Sequence, residues 1–130
     1  MEFLKIKETC LYIRDLEKAK SFYHELLGLP VISYLDRKHL FLRVGKSVLL
    51  LFNSEDSKKK RSPPPHFGGG KQHFAFEVEG KMYEACKSEI AGKGISIIDE
   101  ITWASGKKSF YFNDPEGNVL EILPDNGIWD

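Results

Sequence analysis

The strongest constraint on this chain is an internal repeat, in which residue 8 plus 65 is residue 73. Residues 8–13 (Glu-Thr-Cys-Leu-Tyr-Ile) and 73–78 (His-Phe-Ala-Phe-Glu-Val) are short apolar alternations, and each leads into a helical pattern. The first alternation predicts a strand over residues 6–13. Asp15 then stands at an N-cap position, and Leu16, Ala19, Phe22, Tyr23, Leu26 and Leu27 recur at three- and four-residue steps. That spacing predicts a helix with all six on its buried face. Gly28 is the expected stop, and Pro30 prevents continuation. Strands follow at 31–35, 39–44 and 47–52, the last two joined by a tight turn at Gly45-Lys46. The second alternation, over 72–78, precedes a helix over 80–92 with Met82, Tyr83, Cys86 and Ile90 on one face. Strands near 95–101, 108–112 and 118–123 complete it, and the turn Asn113-Asp114-Pro115-Glu116-Gly117-Asn118 joins the last two. A split βαβ ferredoxin-like unit would not repeat this terminal hairpin.

The expected fold is therefore α+β, a tandem of two βαβββ modules within a single domain. Module one covers 5–53, a linker 54–70, module two 71–124 and a C-terminal tail 125–130. The linker combines a basic run (58–61), three prolines (63–65) and three glycines (68–70), and is expected to be solvated loop.

Composition bears mainly on partners. Nineteen basic and nineteen acidic residues balance, so no global field draws the chain to nucleic acid or anionic lipid. No apolar run approaches the roughly 20 residues that span a bilayer, and the first residues lack a secretory h-region. Cys10 and Cys86 are too few for a disulfide scaffold and are expected as small buried side chains. Cytoplasmic localisation is the expectation, with neither nucleic acid nor membrane as partner.

Three ionisable residues interrupt the alternations. Glu8 opens the first strand, His73 opens its repeat, and Glu121 sits within Val119-Leu120-Glu121-Ile122-Leu123. Taken singly, each has an ordinary explanation as a wet strand residue or a hydrogen-bonded histidine. The repeat couples them, because Glu8 and His73 occupy equivalent positions. A carboxylate among aliphatics is costly unless paired, protonated or bound to metal. One imidazole and two carboxylates suit a divalent ion such as zinc, manganese, iron, nickel or cobalt, with positions left open for substrate.

The segments Thr9-Cys10-Leu11-Tyr12-Ile13-Arg14-Asp15-Leu16-Glu17-Lys18-Ala19, Phe22-Tyr23 and Leu27-Gly28-Leu29 resemble the first-module signature of the vicinal-oxygen-chelate superfamily, the glyoxalase, bleomycin-resistance and dioxygenase group. His73-Phe74-Ala75-Phe76 and the run from Ser109 through Asn113-Asp114-Pro115-Glu116-Gly117-Asn118 to Glu121 resemble its second-module motifs. The resemblance implies curved mixed sheets around a cleft that holds one divalent metal, chelated by vicinal oxygens of a substrate. His73 and Glu121 match ligand positions, and Glu8 stands where most metal-binding members carry histidine. Leu49 and Leu50 stand where glyoxalase I-like members place a fourth ligand. The stretch 109–121 also resembles fosfomycin-resistance thiol transferases, but the tail after the last strand lacks their basic residue.

The expected function is a metal-dependent enzyme of the glyoxalase or dioxygenase type (a lyase, isomerase or dioxygenase) that stabilises an enolate or oxyanion of a small oxygen-rich substrate. Glu8, Glu121 and Tyr111 are the expected catalytic residues, with Glu8 or Glu121 shuttling a proton. Arg43, Tyr12, Trp103 and Ser109 are expected to bind substrate. A metal-free drug- or metabolite-binding protein of the bleomycin-resistance type is the alternative. A site built from two modules makes a homodimer the expected assembly.

Overall fold

The computed structural model describes residues 1–130, which form two compact units, 1–70 and 71–130. Each carries a four-stranded mixed sheet of the same topology. In the first, β1 (Glu8–Tyr12) pairs parallel with β4 (Ser47–Phe52), followed by antiparallel β3 (His39–Val44) and β2 (Val31–Leu35). In the second, β5 (His73–Val78) pairs parallel with β8 (Val119–Pro124), followed by β7 (Lys108–Asn113) and β6 (Asp99–Thr102). The βαβββ order thus occurs twice, as the 65-residue repeat predicts.

Local sequence explains most element ends. Asp15 caps helix α1 (Leu16–Lys20), its Oδ1 accepting the Lys18 N–H at 3.1 Å. The helix continues as a π-helical segment, Ser21–Leu26, and Gly28 ends it at φ 79°. Leu16, Ala19, Phe22 and Tyr23 are buried, as the spacing predicts. Leu26 instead points out, 39% exposed. The cause is the wider turn: the Leu27 N–H reaches back five residues to the Phe22 carbonyl, which rotates later side chains off the apolar face. Met82 also leaves its expected face, because Gly80–Met82 form a 3₁₀ turn before helix α3 (Tyr83–Gly92). Cys10 and Cys86 are free thiols, half-buried rather than buried.

Residues 54–70 contain a short helix, α2 (Ser54–Ser57), capped by the Asn53 side chain. Ser57, fully buried, donates through Oγ to the His66 carbonyl at 2.6 Å, and Ser54 donates to the Gly68 carbonyl at 2.5 Å. These bonds turn the proline-rich stretch into a strap held by the first unit. No helix is long and apolar enough to cross a membrane.

In the second unit one turn positions two strands. Asp114 Oδ1 accepts the N–H groups of Glu116 and Asn118, at 2.9 and 2.8 Å, and Oδ2 accepts the Asn118 amide at 3.0 Å. Asn118 Oδ1 in turn accepts the Gln72 N–H, at 2.9 Å, so the β7–β8 turn holds the entry to β5. Asn118 is fully buried. Asn118→Ala is expected to cost about 2 kcal/mol, because it strands buried partners on two segments. A denaturant titration of the variant against the parent protein measures that loss.

A second brace joins α3 to β6. Glu100 accepts from the Tyr83 hydroxyl and from the Lys87 ammonium, both at 2.9 Å. The Lys87 hydrogen bond, helped by that from Tyr83, holds the Glu100 carboxyl below its ordinary value of 4.5. A depressed carboxyl stabilises the fold above its unfolded pKa, and this contribution is lost as pH falls through the folded value. Glu100→Gln is expected to lower the melting temperature at neutral pH. The difference from the parent should shrink below about pH 4.5, measured by thermal melts across pH.

Candidate functional site

Strand registers place the candidate residues. In the second unit His73 lies opposite Val119, while Ala75, Glu121 and Tyr111 form a row across β5, β8 and β7. His73 and Glu121 both come from the parallel pair, so a two-residue step along the strands brings their heads together. His73 Nε2 stands 3.2 Å from Glu121 Oε2, with Glu121 buried and His73 half-open to solvent.

A chain of hydrogen bonds leads into that carboxylate. The Trp103 indole N–H donates to Ser109 Oγ at 3.1 Å, Ser109 to the Tyr111 hydroxyl at 3.3 Å, and Tyr111 to Glu121 Oε1 at 2.9 Å. The direction is forced, because an indole only donates and a carboxylate only accepts. Every proton therefore points toward Glu121, and such aligned chains polarise one another. Burial holds the Tyr111 hydroxyl above its ordinary pKa; the Ser109 bond opposes this and Glu121 reinforces it. Tyr111 thus keeps its proton and works as a donor.

His73 is equally constrained. Its Nδ1 lies 2.8 Å from the Val119 carbonyl oxygen, which only accepts, so Nδ1 carries the hydrogen. In the neutral ring Nε2 then presents a lone pair to Glu121 Oε2. Two acceptors facing each other are reconciled by a positive charge between them, either a proton on the imidazole or a metal ion. Two ligands each about 2.1 Å from a common ion stand about 3.0–3.4 Å apart at square or tetrahedral angles, which matches the observed separation. A histidine with its far nitrogen on a backbone carbonyl is also the usual arrangement of a metal ligand. The donor set fits a divalent metal. Neither unit alone brings together three His, Cys, Asp or Glu side chains able to hold one.

The remaining candidates lie in the first unit. Glu8, Val48 and Arg43 form one row across β1, β4 and β3, the topological equivalent of His73, Val119 and Asn113. Glu8 is thus the positional counterpart of His73. Leu50, in a row with Cys10 and Phe41, is the counterpart of Glu121 and supplies no ligand. Arg43 is exposed, 3.5 Å from the Ser47 carbonyl. Tyr12 meets a residue that sequence reasoning missed: its hydroxyl lies 2.8 Å from His66 Nδ1, on the strap. Burial, with the Cys10 thiol 3.9 Å away, raises the Tyr12 pKa. The only sequence signal for His66 was a histidine directly after three prolines, within a stretch expected to be solvated.

The sequence profile of the Glyoxalase/Bleomycin resistance protein/Dioxygenase superfamily matches residues 5–122. The chain belongs to this superfamily. A glutathione transferase FosA from Serratia marcescens is 31% identical over 120 residues, which span 90% of this chain and 78% of that protein. A lactoylglutathione lyase from Agrobacterium tumefaciens shares 29% identity and superposes with a TM-score of 0.91 over 96% of each chain. A glyoxalase family protein from Enterococcus faecalis is 29% identical, with a TM-score of 0.71 over 95% of this chain and 99% of its own. Membership in the glyoxalase superfamily thus accounts for the tandem βαβββ fold, and relatives of this chain include proteins named as enzymes.

In metal-free protein the neutral His73 ring should carry its proton on Nδ1, as the Val119 bond requires. Long-range ¹H–¹⁵N NMR on the neutral ring reads the tautomer. A dominant Nε2–H form would contradict the geometry.

Proposed function

We propose that this protein is a metal-dependent enzyme acting on a small, oxygen-rich substrate, with His73, Glu121 and Glu8 as the metal ligands. The observation that carries this reading is the pair of opposed acceptors, His73 Nε2 and Glu121 Oε2, at 3.2 Å. A divalent ion there would supply Lewis acidity, favouring enolate or oxyanion character in the substrate. The chain's own groups do the rest. Val119 and the Trp103–Ser109–Tyr111 relay hold His73 and Glu121 in fixed orientations. Tyr111 commits its one O–H to Glu121, so it would reach a substrate oxygen only by giving up that bond and otherwise serves to position the carboxylate. Glu8, the counterpart of His73, is a carboxylate and so a better proton acceptor from an acidic carbon than a ligated imidazole would be. Arg43, in its row, would attract an anionic group.

The relatives narrow the class. One is named a glutathione transferase and another a lactoylglutathione lyase, which supports chemistry on small oxygen-bearing molecules. Leu50 at the counterpart of Glu121 argues for a three-residue ligand set. A homodimer belongs to the same proposal, because neither unit alone collects three ligands and the first exposes Phe3, Leu4 and Ile6. Two half-buried free thiols accord with a reducing cytoplasm.

Elemental analysis of protein purified without chelator tests this reading. About one metal per chain is expected, lost in His73→Ala and weakened about tenfold or more in Tyr111→Phe, which removes the support of Glu121. Light scattering on the same sample should give twice 14.9 kDa. Protein that takes up no metal when offered manganese, zinc or nickel would overturn the enzyme reading in favour of a binding protein.

A further inference from the structure

The first unit contains a cavity of about 730 Å³, lined only by its own residues. Its floor is the sheet face that carries Cys10, Leu50 and Phe41, and its wall is the strap bearing Pro63, Pro64, Pro65 and His66. The strap is not draped loosely. Ser57 and Ser54 hold the His66 and Gly68 carbonyls, and a Cβ on Gly68 would come within 2.7 Å of the Tyr12 ring.

Five rings surround the space. His39 stacks on Phe41 with centroids 3.9 Å apart, and Phe52 meets Phe41 and His66 edge-on at 5.4 and 4.5 Å. Tyr12 closes the ring set against His66, at 5.7 Å. Flat and edge-on aromatic surfaces of this kind favour a planar ring as guest. Charge is segregated along the strands. Glu8 is in the row at one end, and Lys60 is at the other, its Nζ 5.9 Å from the Phe52 centroid. Lys60 also pairs loosely with Asp56, at 3.8 Å. A cationic guest would meet Lys60, and an acid group near Glu8 would be repelled.

We propose that this cavity binds a flat aromatic ring bearing an acid group, with the ring over Leu50 and Phe41 and the acid toward Lys60. The inference deepens the metal-site reading, on which it rests for the role of Glu8 at the cavity's edge, while binding of the ring itself needs no metal.

The test uses 2-naphthoate, with neutral 2-naphthalenemethanol for comparison, titrated calorimetrically into the full chain in EDTA. One saturable naphthoate site per chain is expected. Leu50→Trp, which fills the floor, should abolish binding of both probes while leaving the circular dichroism spectrum unchanged. Lys60→Gln should weaken naphthoate about threefold to fivefold, the range of a partly exposed charge pair, and leave the neutral probe unaffected. Absence of saturable naphthoate binding overturns the proposal, as does equal naphthoate binding by the parent and Lys60→Gln. If Leu50→Trp misfolds, the Lys60→Gln comparison decides alone. Manganese uptake, measured on EDTA-free protein, reports separately on the metal site, so either reading can fail without the other.

Discussion

The parallel pairing of the first and last strand in each unit is the constraint on which the rest depends. Parallel neighbours cannot be joined by a tight turn, so the chain between β5 and β8 must make a helix and a hairpin before returning. That return brings His73 within 3.2 Å of Glu121, residues 48 positions apart (121 − 73). The register is protected at one end by Asn118, whose side chain spans the β7–β8 turn and the entry to β5. A slip by one residue would turn Glu121 to the opposite face of the sheet and break the pair.

Electrostatic order follows from that placement. A buried carboxylate is unfavourable without donors, and Glu121 receives one at the end of a relay that starts at Trp103. Because the indole has only a proton to give, the orientation of every hydroxyl in the relay is set from one end. The other carboxylate oxygen and the His73 lone pair remain facing each other, with the imidazole already committed to a backbone carbonyl. The first unit uses the equivalent rows differently: Leu50 and Phe41 stand where the second has Glu121 and Tyr111, so the same topology yields an apolar cavity instead of a polar relay.

Much of this was legible in the amino-acid sequence. The strands Val31–Leu35, His39–Val44 and Ser47–Phe52 coincide with the apolar runs, and Asp15 and Gly28 cap as their chemistry predicts. Errors arose where the backbone departed from a 3.6-residue period. Leu26 and Met82 fit an ideal helical stripe, but a π-helical segment and a 3₁₀ turn moved them outward. The expected strand over 95–101 shrank to Asp99–Thr102, since pairing with β7 begins only there. Residues 54–70 carried no periodicity at all. Their structure comes from serine hydroxyls reaching carbonyls 9 and 14 residues away, which no local pattern announces.

The sequence by itself determined the duplicated topology, the element types and the matching positions of Glu8 and His73, because strand alternation, capping and turn chemistry act over a few residues. Only the tertiary structure decided that Trp103, Ser109 and Tyr111 form one relay into Glu121, and that His66 comes back over Tyr12. The relay links side chains across neighbouring strands, and the His66–Tyr12 contact joins segments 54 residues apart. They depend on strand register and on the course of the strap, which are set by the sum of many weak packing terms across each unit.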